Sequence, residues 1–373
     1  PNPNNFGGNE DCVVINGHAA NCAGGMWYDV SCDSTKNMAV CRVPGPAPPL
    51  GTHLEVLEDA PPFIYSAGKS RCFVTGRSLN RPRRQACAHL GFTNFHALVS
   101  SRHKIIQLWH GIPLKRIGKL FPPETFWQAE TDKYSATVCS SPSDQSFMQQ
   151  AFAPLPLERV WQTGLPRNDF ILAADDQLPN DYRNELERIR CKVGDRLLVL
   201  YAPTWRDSID NVYQFSRDEQ NQLNALLFEH NAVLAIRGHA NVRSKVDYDD
   251  VSALNNIIYV NDVPDANLLL KEAGALITDY SSIYIDFLIT DRPIVYFTYD
   301  IDNYVNERGF LYELSEAFVC EPAITFDQLL VDIERAVTEG VADKGRYGRV
   351  KSLFHQHGDD SGLAVVNNIK ALL

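Results

Sequence analysis

From residue 63 onward the chain alternates short β-rich runs with amphipathic stretches of helical length, and no other property narrows its fold as much. The runs are 73–76, 104–109, 135–139 and 159–164, then 197–201, 232–237, 257–260, 275–278 and 294–297. Short, mostly apolar runs of this kind are buried on both faces of a sheet, and the helical stretches between them supply the cover. That combination predicts an α/β class with parallel sheets. Two such sheets, with a cleft between them, suit the length.

The preceding segment differs. Residues 1–43 are rich in Asn, Gly and Cys and hold too little apolar material to fold without staples. Residues 44–62, including Pro44, Pro46, Pro48, Pro49, Pro61 and Pro62, read as a semi-rigid linker. Cys12, Cys22, Cys32 and Cys41 crowd into the start like a disulfide framework, whereas Cys72, Cys87, Cys139, Cys191 and Cys320 are scattered like reduced core thiols. Those patterns imply opposite redox compartments. The sequence begins without Met and without a signal-peptide pattern, and so reads as a piece of a longer product.

A net charge of −11 excludes a general nucleic-acid binder, which needs a concentrated basic surface. No apolar run approaches the roughly 20 residues that span a bilayer, so a membrane role would be peripheral.

Ligands of parallel α/β sheets bind beyond the carboxyl ends of strands, which makes the residues after each run the informative ones. Four such places carry chemistry: His110 with Lys115, Arg116 and Lys119; Thr204 with Arg206; Arg237 with His239; and Asp279 with Ser281 and Ser282. The last group precedes apolar residues at Ile283, Phe287 and Leu288, about two helical turns, so it stands at a helix N-terminus. It can cap the helix or, by the same free N–H groups, seat an anion. Four polar loops aimed at one cleft point to a phosphorylated substrate, with His transferring a proton and Arg pairing with phosphate. No Asp-x-Asp sequence follows a strand, so transfer requires no catalytic metal.

Trp109-His110-Gly111-Ile112-Pro113-Leu114-Lys115, Tyr201-Ala202-Pro203-Thr204-Trp205-Arg206 and Thr278-Asp279-Tyr280-Ser281-Ser282, with Asp286-Phe287, Arg292-Pro293-Ile294, Tyr299-Asp300 and Arg308-Gly309-Phe310, resemble the signatures of the CDP-glycerol glycerophosphotransferase family, which includes teichoic acid primases and polymerases. The resemblance runs from about residue 64 to the end. It implies a GT-B architecture of two Rossmann-like domains facing a cleft, over 63–165 and 166–373, the first of them short by its opening βα units. It also implies a CDP-glycerol or related CDP-polyol donor held by the C-terminal domain and a glycan or polyol-phosphate acceptor, lipid-linked in some members. It further implies His110 as general base, and His239 with Arg237 stabilising charge on the leaving phosphate. Thr204 and Arg206 would line the donor cleft, Asp279, Ser281 and Ser282 would seat the diphosphate, with Asp279 itself pointing away from it or binding the glycerol or ribose hydroxyls, and Asp286 would orient the loop. Lys115, Arg116 and Lys119 would meet acceptor phosphates or an anionic membrane, placing the protein in the cytoplasm at the inner membrane face. A nucleotide-sugar glycosyltransferase is the alternative within the same architecture.

Residues 1–43 resemble the C-terminal half of a C-type lectin domain, through Asn2-Pro3-Asn4, Glu10, Cys12, Trp27-Tyr28-Asp29, Cys32 and Cys41. That resemblance implies oxygen ligands to calcium at Asn2, Asn4, Glu10 and Asp29 and a disulfide between Cys12 and Cys32. Tyr28 stands where the family has Asn, and the N-terminal half of the lectin fold is absent. A calcium-dependent carbohydrate-binding protein on a degenerate transferase scaffold is the reading from a different class.

Overall fold

The computed structural model describes residues 103–120, 131, 134–204, 213–238, 254–301, 309–357 and 360–372, with the backbone alone of 12–15, 38–41, 71–75, 84–89 and 103. The linker 44–62, Asn2, Asn4, Glu10, Asp29, Cys32, Arg206 and His239 lie outside these residues. Strands β1 (Cys12–Ile15) and β2 (Met38–Cys41) pair antiparallel, with Cys12 opposite Cys41.

The first large sheet runs in sequence order: β3 (Arg71–Thr75), β4 (Arg84–His89), β5 (His103–Gln107), β6 (Tyr134–Cys139) and β7 (Val160–Gln162). β3 is antiparallel to β4, and the later neighbours are parallel. Helix α1 (Pro142–Ala151) follows β6, with the Ser141 hydroxyl accepting from the Asp144 N–H at 3.2 Å as its N-cap. A short helix α2 (Asp169–Leu172) then leads into α3 (Asn180–Val193), which buries Tyr182, Leu186, Ile189 and Val193, a stripe at helical spacing. Gly194 ends α3 at φ +65°.

The second sheet has the order β10 (Ile257–Tyr259), β9 (Ala232–Ile236), β8 (Leu197–Tyr201), β11 (Ala275–Thr278), β12 (Ile294–Tyr296), all parallel. The chain starts at the centre, moves out one way, then crosses to the other side. Every residue of β11 and β12 is buried, as expected for a sheet covered on both faces. Its cover includes α4 (Arg217–Glu229), α5 (Ala266–Glu272), a short α6 (Ile283–Phe287), α7 (Leu314–Ala317) and α8 (Phe326–Thr338). α4 opens with a reciprocal capping box, Ser216 Oγ accepting from Glu219 N–H and the Glu219 carboxylate from Ser216 N–H at 2.7 Å.

The two sheets share one core, in which Ile106, Leu108, Ile112 and Leu114 join Leu268, Leu276, Tyr284 and Phe287. The last helices, α9 (Lys344–Phe354) and α10 (Ser361–Leu372), return toward the first sheet. Gln356 N–H donates to Ser140 O at 2.9 Å. His355 bonds Ile285 O through Nε2 at 2.6 Å and meets Ser140 Oγ through Nδ1 at 3.2 Å. Nε2 can only donate to a carbonyl, so Nδ1 accepts from the serine. Burial lowers the pKa of His355, which keeps this neutral tautomer. Asp169 accepts from Ser361 and Gly362 N–H groups at 3.1 and 2.7 Å and thereby caps α10.

Asp144 carries a consequence for stability. Its Oδ2 accepts from Ser140 N–H at 2.9 Å, while Oδ1 is buried with no hydrogen-bond partner. Burial pushes its pKa up to about 7, and burial likewise raises Asp169 to about 6. The native state therefore binds protons that the unfolded chain, with Asp near 3.9, releases. Stability is greatest below pH ~4 on this account and falls as pH rises toward 7. Thermal unfolding of an Asp144→Asn variant between pH 5 and 8 is expected to show a shallower decline than the unmodified protein, by a few kcal/mol, roughly 5–10 °C in Tm. Parallel declines would remove Asp144 as the cause.

Candidate functional site

In the second sheet, β8 and β11 are neighbours whose connections leave in opposite directions, and this reversal opens a crevice beyond their carboxyl ends. The residues after both strands are tied together across it. Ala202 N–H donates to Ile277 O at 2.9 Å, and Thr278 Oγ1 donates to Ala202 O at 2.7 Å. Asp279 Oδ1 then accepts from both the N–H and the hydroxyl of Thr204, at 2.8 and 2.6 Å. Asp279 is only 1% exposed.

This placement corrects the expectation for Asp279. Helix α6 begins at Ile283, so Asp279 stands outside its first turn and holds the Thr204 loop instead. The helix is also shorter than two turns, passing at Leu288 into a 3₁₀ turn. Ser281 and Ser282 do lie at its start, half-buried, with Ser281 Oγ accepting from Ile283 N–H at 3.4 Å. Arg237, at the end of β9, is half-buried and donates through Nη1 to Val263 O at 2.8 Å.

The facing wall comes from β5. The run 104–109 reads as one strand, yet β5 ends at Gln107. The Gln107 side chain accepts from Trp109 N–H at 2.9 Å, and Trp109 takes a left-handed φ of +53°, uncommon for so large a side chain. Its buried indole stacks on the His110 ring at 4.1 Å and 29°, which leaves the imidazole exposed. A backbone outlier of this kind costs free energy and persists where surrounding contacts impose it.

Gly111 brings the two walls together. At φ +140°, a Cβ there would lie 2.7 Å from Arg167 Nη2 and 3.5 Å from Ser282 Oγ. Only glycine permits this approach, and the approach sets the His110 loop against the Ser282 turn. Past it, Lys115 pairs antiparallel with Phe310, supported by Leu311 N–H to Leu114 O at 3.0 Å. Lys115 and Lys119 are half-buried and Arg116 is exposed.

Arg167 was not among the expected site residues, and the structure puts it at the meeting point. It lies in a 3₁₀ turn after β7 and donates to His110 O and to the Asp286 carboxylate. The strand-end rule contains the signal, because Pro166, Arg167, Asn168 and Asp169 directly follow the run 159–164. Placing a domain boundary at 165 hides it. A cavity of about 620 Å³ lined by Pro293, Ile294, Cys320, Ala323, Asp332 and Tyr347 lies at the amino end of β12 and so belongs to a different part of the sheet.

A profile of the family described as "CDP-Glycerol:Poly(glycerophosphate) glycerophosphotransferase" matches residues 78–370. The teichoic acid glycerol-phosphate transferase of Staphylococcus aureus is 28% identical over 272 residues, covering 69% of this chain and 67% of the relative. The teichoic acid ribitol-phosphate polymerase TarL of the same species is 26% identical over 262 residues, covering 66% of this chain and 45% of the relative. This chain thus spans less than half of TarL. The structure of the wall teichoic acid polymerase TagF superposes with a TM-score of 0.63 at 25% identity, covering 76% of this chain and 73% of that one. The α/β, GT-B-like expectation holds. The lectin-like reading of residues 1–43 gains no support, and its disulfide and calcium positions fall largely outside the described residues. A profile match spanning most of the chain, on the fold that the two sheets display, means that this protein belongs to the CDP-glycerol:poly(glycerophosphate) glycerophosphotransferase family.

Proposed function

We propose that this protein transfers glycerol phosphate, or a related polyol phosphate, from a CDP-activated donor to a hydroxyl of a glycan or polyol-phosphate acceptor. The observation that carries this reading is the approach of the His110 loop to the Ser282 turn beside the β8–β11 crevice. His110 takes the proton of the acceptor hydroxyl, since an imidazole exchanges protons near neutral pH. The acceptor oxygen attacks the β-phosphorus of the donor, the bond from that phosphorus to the bridging oxygen breaks, and CMP leaves with the electron pair. Ser281 and Ser282 seat the diphosphate, Thr204 and Asp279 hold the crevice in shape, and Arg237, Arg206 and His239 offset charge on the leaving group. Transfer needs no metal in this scheme, and calcium at the N-terminal segment stays a separate proposal.

Lys115, Arg116 and Lys119 contact acceptor phosphates, which are lipid-linked, and the protein works at the inner face of a membrane. Among the described residues no helix is long and apolar enough to cross one. The test is CMP release from CDP-glycerol, with and without a lipid-linked polyol-phosphate acceptor. Acceptor-dependent CMP release supports the reading. Turnover with sugar nucleotides alone would replace it by glycosyl transfer.

A further inference from the structure

We propose that Arg167, paired with Asp286, is a positioning residue that aims His110 at the donor seat; this rests on the transfer reading above. Two restraints act on His110. The stack on Trp109 sets the plane of its ring, and the Arg167 guanidinium fixes its main-chain carbonyl. Arg167, which follows β7 of the first sheet, is itself anchored to helices that cover the second. Asn267 of α5 donates to Arg167 O at 2.8 Å, and Asp286 of α6 takes the other end of the guanidinium.

The pair is built for geometry rather than for binding strength. The Asp286 side chain is 2% exposed and that of Arg167 21%. Asp286 Oδ1 and Arg167 Nε are both buried without a hydrogen-bond partner, so the two ions leave part of their capacity unused. Replacement of such a pair by packed apolar groups is commonly neutral or stabilising, so the pair acts here through placement more than through stability. The guanidinium also passes through the space that a side chain at Gly111 would fill. Arg167 therefore connects His110, Gly111 and helix α6, through Asp286, in one contact set. Among the described residues, the charged and titratable groups near His110 include Arg167, the Asp286 it pairs with, His355 beside that pair, and Lys115 and Arg116 along its own loop.

The experiment uses the full chain and two independent readouts. Proton NMR titration follows the His110 imidazole without substrate, the signal being assigned by its loss in His110→Ala. Steady-state CMP release and calorimetric binding of CDP-glycerol follow the reaction. Arg167→Ala is expected to lower kcat about 100-fold with donor Kd within about threefold, and to move the His110 midpoint upward, since a cation is lost and Asp286 remains. Asp286→Asn is expected to move the midpoint the opposite way. Arg167→Lys restores the charge but not the fork, so the midpoint returns while kcat stays about tenfold low. An unmoved midpoint with unchanged kcat in Arg167→Ala, or a loss of donor affinity at unchanged kcat, would overturn the proposal. If Arg167→Ala does not fold, the lowered midpoint expected of Asp286→Asn, together with the unmoved midpoint and about tenfold lower kcat expected of Arg167→Lys, decides. Absence of CMP release by the unmodified protein would overturn the functional reading, and the titration would still decide whether the pair governs His110.

Discussion

Replacing His110 by alanine is expected to cut CMP release from CDP-glycerol by about 10³-fold while leaving donor affinity within about threefold. The imidazole is exposed on the cleft side and stacked on a buried indole, so truncation removes a proton acceptor without opening the core. Its backbone restraints, the Trp109 turn and the Gly111 approach, survive the change. Calorimetry with CDP-glycerol and a coupled assay for CMP separate binding from chemistry. Turnover at the unmodified rate would exclude His110 from the reaction, and a parallel collapse of donor affinity would move it from acceptor activation to donor binding.

The second large effect is expected at Asp279. Alanine there strips two hydrogen bonds from Thr204 beyond the end of β8 and leaves a half-buried N–H and hydroxyl without this acceptor, a cost of about 1–3 kcal/mol. With the β8 and β11 loops no longer tied, donor affinity should fall about 10- to 100-fold. Asparagine retains an acceptor oxygen at the same place, so Asp279→Asn should recover most of the stability and much of the affinity. Urea denaturation and donor calorimetry on the two variants make the check. Retained affinity in Asp279→Ala, alongside lost stability, would confine this residue to holding the fold.

Sequence periodicity reveals the strands of this protein better than it reveals their neighbours. The nine β-rich runs from 73–76 to 294–297 all contain strand, and in β11 and β12 burial on both faces writes itself directly into residue type. β4 escapes notice: Arg84-Gln85-Ala86-Cys87-Ala88-His89 has no β-branched or aromatic residue, and its pairing with β3 and β5 forms it. The length of β5 is misjudged at Trp109 for a similar reason. A glutamine two residues earlier captures its N–H and turns the chain, which no propensity records.

Asp279 shows the limit most clearly. Its neighbours in sequence suggest a helix cap, while its partner Thr204 lies 75 residues away. Only the strand order makes them adjacent. His110, Ser281 and Ser282 could be singled out as polar residues after apolar runs. Their approach depends on Gly111 and Arg167, whose importance appears only once two sheets are brought face to face.

The antiparallel bridge between Lys115 and Phe310 gives the cleft a fixed rim. Backbone hydrogen bonds there stitch the His110 loop to the opposite half, and the segments at α9 and α10 fasten the same halves through Ser140 and Asp169. A jaw pinned along one edge cannot gape symmetrically. Any opening of the cleft would then be a swing about that seam, widest on the side away from it.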